Sequence, residues 1–292
     1  STLKQEIKTN SISVTNFSVG LIAFTILIQL VMIIDDIWSI KEKNKLIIQS
    51  ICVLGLILFS DVYITNLGNL LGFGEIQLGI FGIPFTIFCI VGMMNAFNYI
   101  DGLNGLCASF SLVCLTSIIV IVNAFNSPNL LPLILPTGAI VGFLMYNLGI
   151  FGDQRNVFLG DNGSQALGFL CLWILVYFSQ FDSYGFSPVT ALWLVAILFM
   201  DAVRVLFTRI ISGLRGSNIF KAKRDHIHHK LQDYGFSNEL VYSVLILSAG
   251  SLSALGIFLN RIFLESHYYS FYTFIILWIC FHIIVNKIPK NV

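Results

Sequence analysis

An all-α integral membrane protein is the fold class this sequence predicts: a polytopic bundle of about nine transmembrane helices. A small extracytoplasmic hairpin is expected on one side, and acidic and histidine motifs on the cytoplasmic face. Three observations lead there. Of 292 residues, 57% are hydrophobic and only 11% charged, against roughly 25% charged in an average soluble domain. Apolar runs approaching the ~20 residues needed to cross a ~30 Å hydrocarbon core recur along the whole chain. The basic residues, finally, sort to alternate connections. A soluble single-core protein is thereby disfavoured.

The first apolar run, 17–34, follows the polar segment Ser1 to Asn16, which has no cleavable-signal pattern, and ends on Asp35-Asp36. The second, 46–60, follows Lys41, Lys43 and Lys45. The stretch Asp61 to Ile80 carries Asn66, Gly68, Gly72 and Gly74 among alternating residues, and reads as a short hairpin or re-entrant piece. Runs 83–98, 106–123, 130–147, 165–180, 188–210, 240–259 and 269–286 complete the bundle. No repeat interrupts it, so residues 1–292 read as a single polytopic domain. Cys52, Cys89, Cys107, Cys114, Cys171 and Cys280 form no CxxC pair and read as small core residues.

One set of alternate connections holds Lys41, Lys43, Lys45, Arg155, Arg215, Lys221, Lys223, Arg224, Lys230, Lys287 and Lys290. The other holds only Lys4, Lys8 and Arg261, so the first set is assigned to the cytoplasm. Asp35, Asp36, Asp101, Asp161, Asp201, Arg204, His226, His228 and His229 all fall at or near that side. Polar side chains scattered at random would not sort this way, and their convergence points to an active site.

Four motifs carry the chemistry. Asp35-Asp36 closes an unbroken apolar run, where carboxylates are costly unless solvated, paired or metal-bound. Adjacent carboxylates repel and can leave a poised base; an ordinary helix end partnered by Lys41, Lys43 or Lys45 is an equal reading. In the run Asn95 to Leu106, the residues Asn98, Asp101 and Asn104 recur every third position, as if along one face of a helix end. Gly102 and Gly105 allow close backbone approach to a ligand, and the alternative is a polar C-cap and turn. In Val157 to Ser164, Asp161 to Ser164 can cap the following helix, whose free N–H groups favour phosphate. Asp161 there could hold Mg²⁺, and Phe158 could stack on a base. The fourth motif, Lys221 to Lys230, offers Arg224, His226, His228 and His229 as a basic, hydrogen-bond-rich loop suited to diphosphate or sugar. Zinc is disfavoured by the spacing, and a lipid-contacting basic loop is the plainer reading. Asp201 and Arg204, three residues apart, read first as a structural helix pair.

In this order the motifs resemble the polyprenyl-phosphate N-acetylhexosamine-1-phosphate transferases. The matching pieces are Asp35-Asp36, NAFNYIDGLNGL, FLGDNGS, SPVTALW with the span bearing Asp201, and His226-Ile-His228-His229. The resemblance implies transfer of a sugar 1-phosphate, GlcNAc-1-phosphate in the most similar branch, from a UDP-N-acetylhexosamine to undecaprenyl phosphate. It further implies a multi-pass enzyme of the bacterial cytoplasmic membrane that initiates cell-surface polysaccharide, has membrane lipids as neighbours and no nucleic acid partner, and allows a homodimer. Mg²⁺ is the implied cofactor, with Mn²⁺ as the alternative ion.

By the same resemblance, Asp35 is the base or lipid-phosphate partner with Asp36 beside it, and Asp161 is the metal aspartate. Asn98, Asp101 and Asn104 line the nucleotide pocket, Phe158 stacks on uracil, and the histidine loop reads the sugar. Lys43 and Lys45 are the basic residues after the aspartate pair. Two departures stand out. Asn104 occupies a position usually held by Asp, and two further helices that family members carry at the N-terminus are not in this sequence. An ion-coupled transporter and a non-catalytic scaffold are the competing functions.

Overall fold

A computed structural model describes residues 2–38, 40–124, 130–152, 157–180, 187–214, 224–263 and 266–289. Side chains before Asn16 lie outside that description, as do Arg155, Arg215, Lys221, Lys223 and Lys290. The architecture is all-α and polytopic, as the hydropathy pattern requires. The helices are α1 (Thr2–Trp38), α2 (Glu42–Ser60), α3 (Gly82–Ile100), α4 (Leu106–Ala124), α5 (Leu131–Asn147) and α6 (Gly160–Ser179). They continue with α7 (Pro188–Leu194), α8 (Ala196–Leu214), α9 (Ile227–Asp233), α10 (Asn238–Ile262) and α11 (His267–Lys287). Six described helices are long and apolar enough to cross a membrane, and a bent pair would make seven. Two shorter apolar helices cover Leu106–Val122 and Pro132–Asn147.

The expected single span 188–210 is instead broken. α7 and α8 meet at Val195 with a bend of 87°. Packing explains the break. Trp193 is fully buried, and its indole Nε1 donates to Ser270 Oγ at 2.9 Å. Its Cβ lies where a side chain on Gly256 would begin, 2.2 Å from that ideal position. Pro188 starts α7, Ser187 Oγ caps it by accepting from the Thr190 N–H at 3.3 Å, and Asn260 Oδ1 accepts from the Thr190 hydroxyl at 2.7 Å. The α7 turn is thus moored to α10 and α11, and the chain must bend to continue.

Helix α6 is the axis of the bundle, with thirteen buried residues from Ser164 to Phe178. Glycines set how closely its neighbours approach. A Cβ on Gly168 would sit 3.1 Å from both the Met94 Cα and the Phe97 Cβ of α3. α1 runs antiparallel to α6, with Phe17 stacked on Tyr177 at 4.2 Å between ring centroids. At equal helical rise, Asp35 lies as far along α1 as Leu159 lies back along α6, so both reach one end of the bundle. The cysteines divide: Cys52, Cys107, Cys114 and Cys171 are buried, whereas Cys280 is exposed on the outer face of α11, contrary to a core role.

The segment 61–80 does form a hairpin, at the opposite end. Asn66 and Gln77 make an isolated antiparallel bridge, flanked by Leu67 N–H to Ile76 O at 3.0 Å and Leu78 N–H to Thr65 O at 2.8 Å. Gln180, which caps α6, accepts from the Thr65 and Asn66 N–H groups at 2.8 and 3.1 Å. Asp61 takes φ 55° at the end of α2, the left-handed step that turns the chain into the hairpin.

Candidate active site

The end of the bundle away from the hairpin collects the four motifs, with the last turn of α3 as their hub. Asn98 Nδ2 donates to Ser164 Oγ on α6 at 3.1 Å. One residue on, the Tyr99 ring stacks with His226 at 5.2 Å between centroids. Gly102 faces His228 so closely that a Cβ there would lie 2.5 Å from His228 Nε2. The nucleotide-type motif therefore touches both the FLGDNGS motif and the histidine loop.

On the α1–α2 side, Asp35 is buried and fully engaged. Its Oδ1 accepts from the Ile40 N–H at 2.7 Å and its Oδ2 pairs with Lys45 Nζ at 2.6 Å. Of the three lysines considered as partners, Lys45 takes the role, because it stands on the first turn of α2 facing α1. One helical turn deeper, Gln49 Nε2 donates to Gln165 Oε1 at 2.6 Å while Gln49 Oε1 accepts from Asn95 Nδ2 at 3.0 Å. This amide triad joins α2, α3 and α6 directly beneath the two carboxylate sites. Neither Gln49 nor Gln165 belongs to the candidate residues; Gln49 is a lone amide in the apolar run 46–60, a signal that could have found it, whereas Gln165 merges with the polar stretch Asp161 to Ser164. Tyr99 gave no such signal.

Two expectations about local geometry are corrected. Helix α6 begins at Gly160, so Asp161 to Ser164 form its first turn and do not cap it; Leu159 is the N-cap and makes no side-chain capping bond. Gly160 has φ 67°, which lets the chain enter the helix early. Ser164 Oγ donates to the Asp161 carbonyl at 3.1 Å. Nor do Asn98, Asp101 and Asn104 share a helix face. α3 ends at Ile100, Asp101 is its C-cap, and Asn104 lies exposed in the turn beyond, where Gly105 takes φ 75°.

Other candidates lie at the rim. Asp36 and Lys43 are exposed. Phe158 is 74% exposed beside the start of α6, on a stretch held by Asn147 Nδ2 donating to the Val157 carbonyl at 2.6 Å. Arg224 turns outward to Asp233 at 3.1 Å. His229 Nδ1 lies 3.2 Å from Gln232 Oε1.

Electrostatics mark the centre of this end. Burial, reinforced by the charge of Asp161, pushes the Asp101 carboxyl up to about 7. Burial, with His229 and His226 nearby, pushes the His228 imidazole down to about 3, so it is neutral at ordinary pH. Among the described residues, both His228 ring nitrogens are buried without a hydrogen-bond partner, as is Asn162 Oδ1 next to Asp161. A buried polar atom left unpaired costs about 1–3 kcal/mol, so these atoms mark where a ligand would be satisfied.

The donor set also fits a hard cation. Asp161 and Asp101 repel each other, and Asn162 adds an orphaned oxygen. Among the described residues no three His, Cys, Asp or Glu side chains form a metal cage. Mg²⁺ needs none, since it binds through one or two carboxylates together with substrate phosphates.

Comparison with known proteins identifies the family. The model of glycosyl transferase family 4 matches residues 18–179. Undecaprenyl-phosphate alpha-N-acetylglucosaminyl 1-phosphate transferase of Escherichia coli K12 is 34% identical over 226 residues, 77% of this chain and 60% of the relative. The protein of the same name from Yersinia pestis is 30% identical over 78% of this chain and 62% of its own length. That of Pasteurella multocida is 32% identical over 270 residues, 90% of this chain and 74% of the relative. The chain thus spans about 60% of the length of the E. coli relatives it matches.

Proposed function

The chain belongs to glycosyl transferase family 4, and on that premise we propose that it moves GlcNAc-1-phosphate from UDP-GlcNAc to undecaprenyl phosphate, releasing UMP. The observation that carries this reading is the meeting of Asp35–Lys45, Asn98–Ser164, Asp101–Asp161 and the His226–His228 pair at one end of a membrane bundle. A site there is open to a water-soluble nucleotide sugar and to a lipid whose chain stays in the bilayer. A transporter would place its carboxylates near the bundle's middle. Asp35, Asp101 and Asp161 instead stand at the ends of α1, α3 and α6.

In the balanced step, an oxygen of the lipid phosphate forms a bond to the sugar-bearing phosphorus as the bond from that phosphorus to UMP breaks. Lys45 is placed to receive the anionic lipid head, with Lys43 at the rim. Direct attack by the lipid phosphate is the favoured route, a phosphate monoester being already an adequate nucleophile, with Asp35 held beside it by Lys45 and the Ile40 N–H. Asp161 would hold Mg²⁺, which when bound neutralises the diphosphate and the departing UMP. Asn98, Asp101 and Asn104 face the nucleotide, Phe158 offers a stacking face, and His226, His228, His229 and Arg224 line the sugar side. The site faces the cytoplasm of a bacterial inner membrane in this reading.

The test is UMP release from UDP-GlcNAc, undecaprenyl phosphate and Mg²⁺ by the chain and its Asp161→Asn variant. Turnover by the parent, lost about a hundredfold or more in the variant at unchanged melting temperature, is the expected outcome. Absence of UMP with the parent, or full turnover with the variant, would sink the reading.

A further inference from the structure

Helix α8 carries two charges in a site nearly closed to solvent: Asp201 is 2% exposed and Arg204 1%. On a helix surface an i,i+3 pair needs no further explanation. Buried, such a pair is weak evidence for stability, because desolvation offsets the attraction. What the two residues hold besides each other is more informative.

Asp201 Oδ1 accepts from Arg204 Nε at 3.2 Å, from Arg204 Nη2 at 2.7 Å and from the Ile227 N–H at 3.2 Å. Its other oxygen, Oδ2, faces His226 Nδ1 at 2.8 Å. Arg204 Nη2 also donates to the Asp225 carbonyl, and Nη1 to Asn286 Oδ1 on α11 at 3.2 Å. The pair therefore grips three consecutive residues, 225–227, at the entrance to α9. Tyr99 closes a face of the His226 ring from α3.

We propose that Asp201 is a positioning residue that selects the His226 tautomer protonated at Nδ1, leaving Nε2 to accept a hydrogen bond from a hydroxyl or amide N–H of the donor sugar. This rests on the transferase reading for the identity of the donor. A carboxylate already receiving a guanidinium can only accept, so the proton between Oδ2 and Nδ1 belongs to the imidazole. The hydrogen bond made by one ring nitrogen fixes the state of the other. In the neutral ring Nε2 is then an acceptor, which matches a hydroxyl or acetamido N–H and not a phosphate oxygen. Arg204 is the counter-ion that holds Asp201 at this angle.

The experiment is ¹⁵N spectroscopy of histidine-labelled protein at mildly alkaline pH, with His226 assigned by loss of its signals in His226→Gln. The parent should show a protonated Nδ1 and a bare Nε2. UDP-GlcNAc should move the Nε2 signal, and UDP alone should not. In Asp201→Asn the side-chain amide would donate to Nδ1 and swap the tautomer. The Michaelis constant for UDP-GlcNAc should then rise roughly 10- to 100-fold, while that for undecaprenyl phosphate stays unchanged. A parent His226 protonated at Nε2, or an Nε2 signal equally sensitive to UDP, overturns the proposal even if the variant fails to fold. So does a swapped tautomer with an unchanged Michaelis constant. Failure of UMP release in the parent would instead strike the transferase reading, since the tautomer and the UDP-GlcNAc titration are read without turnover.

Discussion

Asp101 shows how a single side chain at this end turns environment into a measurable slope. Its carboxyl is raised from an ordinary 3.8 to about 7, first by burial and then by the charge of Asp161. Between those values the folded protein holds a proton that the unfolded chain has released, so stability falls as pH rises through the window. Without divalent cation, the melting temperature of the parent in detergent, taken relative to Asp101→Asn, should therefore decline from about pH 5 to about pH 8. Mg²⁺ should reduce that relative decline by masking Asp161. A difference between parent and variant that stays level across this range would contradict the assignment. His228 pulls the other way: held down to about 3 in the fold and free to take up a proton below about 6.5 once unfolded, it adds stability as pH rises. It does so equally in parent and variant, so the comparison cancels it. Much at this scale was legible beforehand: Asp35 and Asp101 stand out at the ends of apolar runs, and Asp161 and the histidines in polar connections on the same side. Partner choice was not. Lys41, Lys43 and Lys45 are equivalent in sequence, and only the rotation of α2 against α1 selects Lys45.

Among elements, hydropathy sums along the chain and so placed every apolar run within a few residues of a helix. It carried no sign of where a span would break. The bend at Val195 arises because α7 is fixed sideways by Trp193, Thr190 and Asn260, contacts to residues some sixty or more positions away. The early start of α6 likewise depends on the positive φ of Gly160. The Trp193–Gly256 contact is the sharpest element-level dependence. A methyl group on Gly256 would meet the Trp193 Cβ at 2.2 Å and Cγ at 2.5 Å, atoms close to the backbone that have no rotamer to escape into. Gly256→Ala should destabilise the bundle by roughly 1–3 kcal/mol, the usual scale of overpacking. Gly250→Ala, six residues earlier on α10 with open space around it, should be nearly neutral. Thermal unfolding of the two variants in one detergent decides the matter, and equal melting temperatures would remove the wedge from the account of the bend.

For the molecule as a whole, the separation of its two ends is the property on which the function depends. Among the described residues, Lys41, Lys43, Lys45, Arg224 and Lys230 lie at the site end, and Asn286 and Lys287 of α11 reach it through the Arg204 bond. Arg261 closes α10 at the other end, beside the hairpin whose Phe73 is 93% exposed. On our proposal, which the positive-inside rule supports, the site faces the cytoplasm and the hairpin the outside, with Phe73 available to the far membrane interface. Cysteine substitutions at exposed Lys41 and Phe73 test this in intact cells. Phe73→Cys should react with a membrane-impermeant maleimide added outside, whereas Lys41→Cys should react only after the cells are opened. Because Cys280 is also exposed on the outer face of α11, the parent chain sets the background for both. Labelling of Lys41→Cys from outside would invert the topology and separate the site from cytosolic nucleotide sugar, which no local rearrangement could repair. Labelling of neither would place the hairpin tip within the bilayer, keeping the site where the charges put it but making residues 61–80 a re-entrant element.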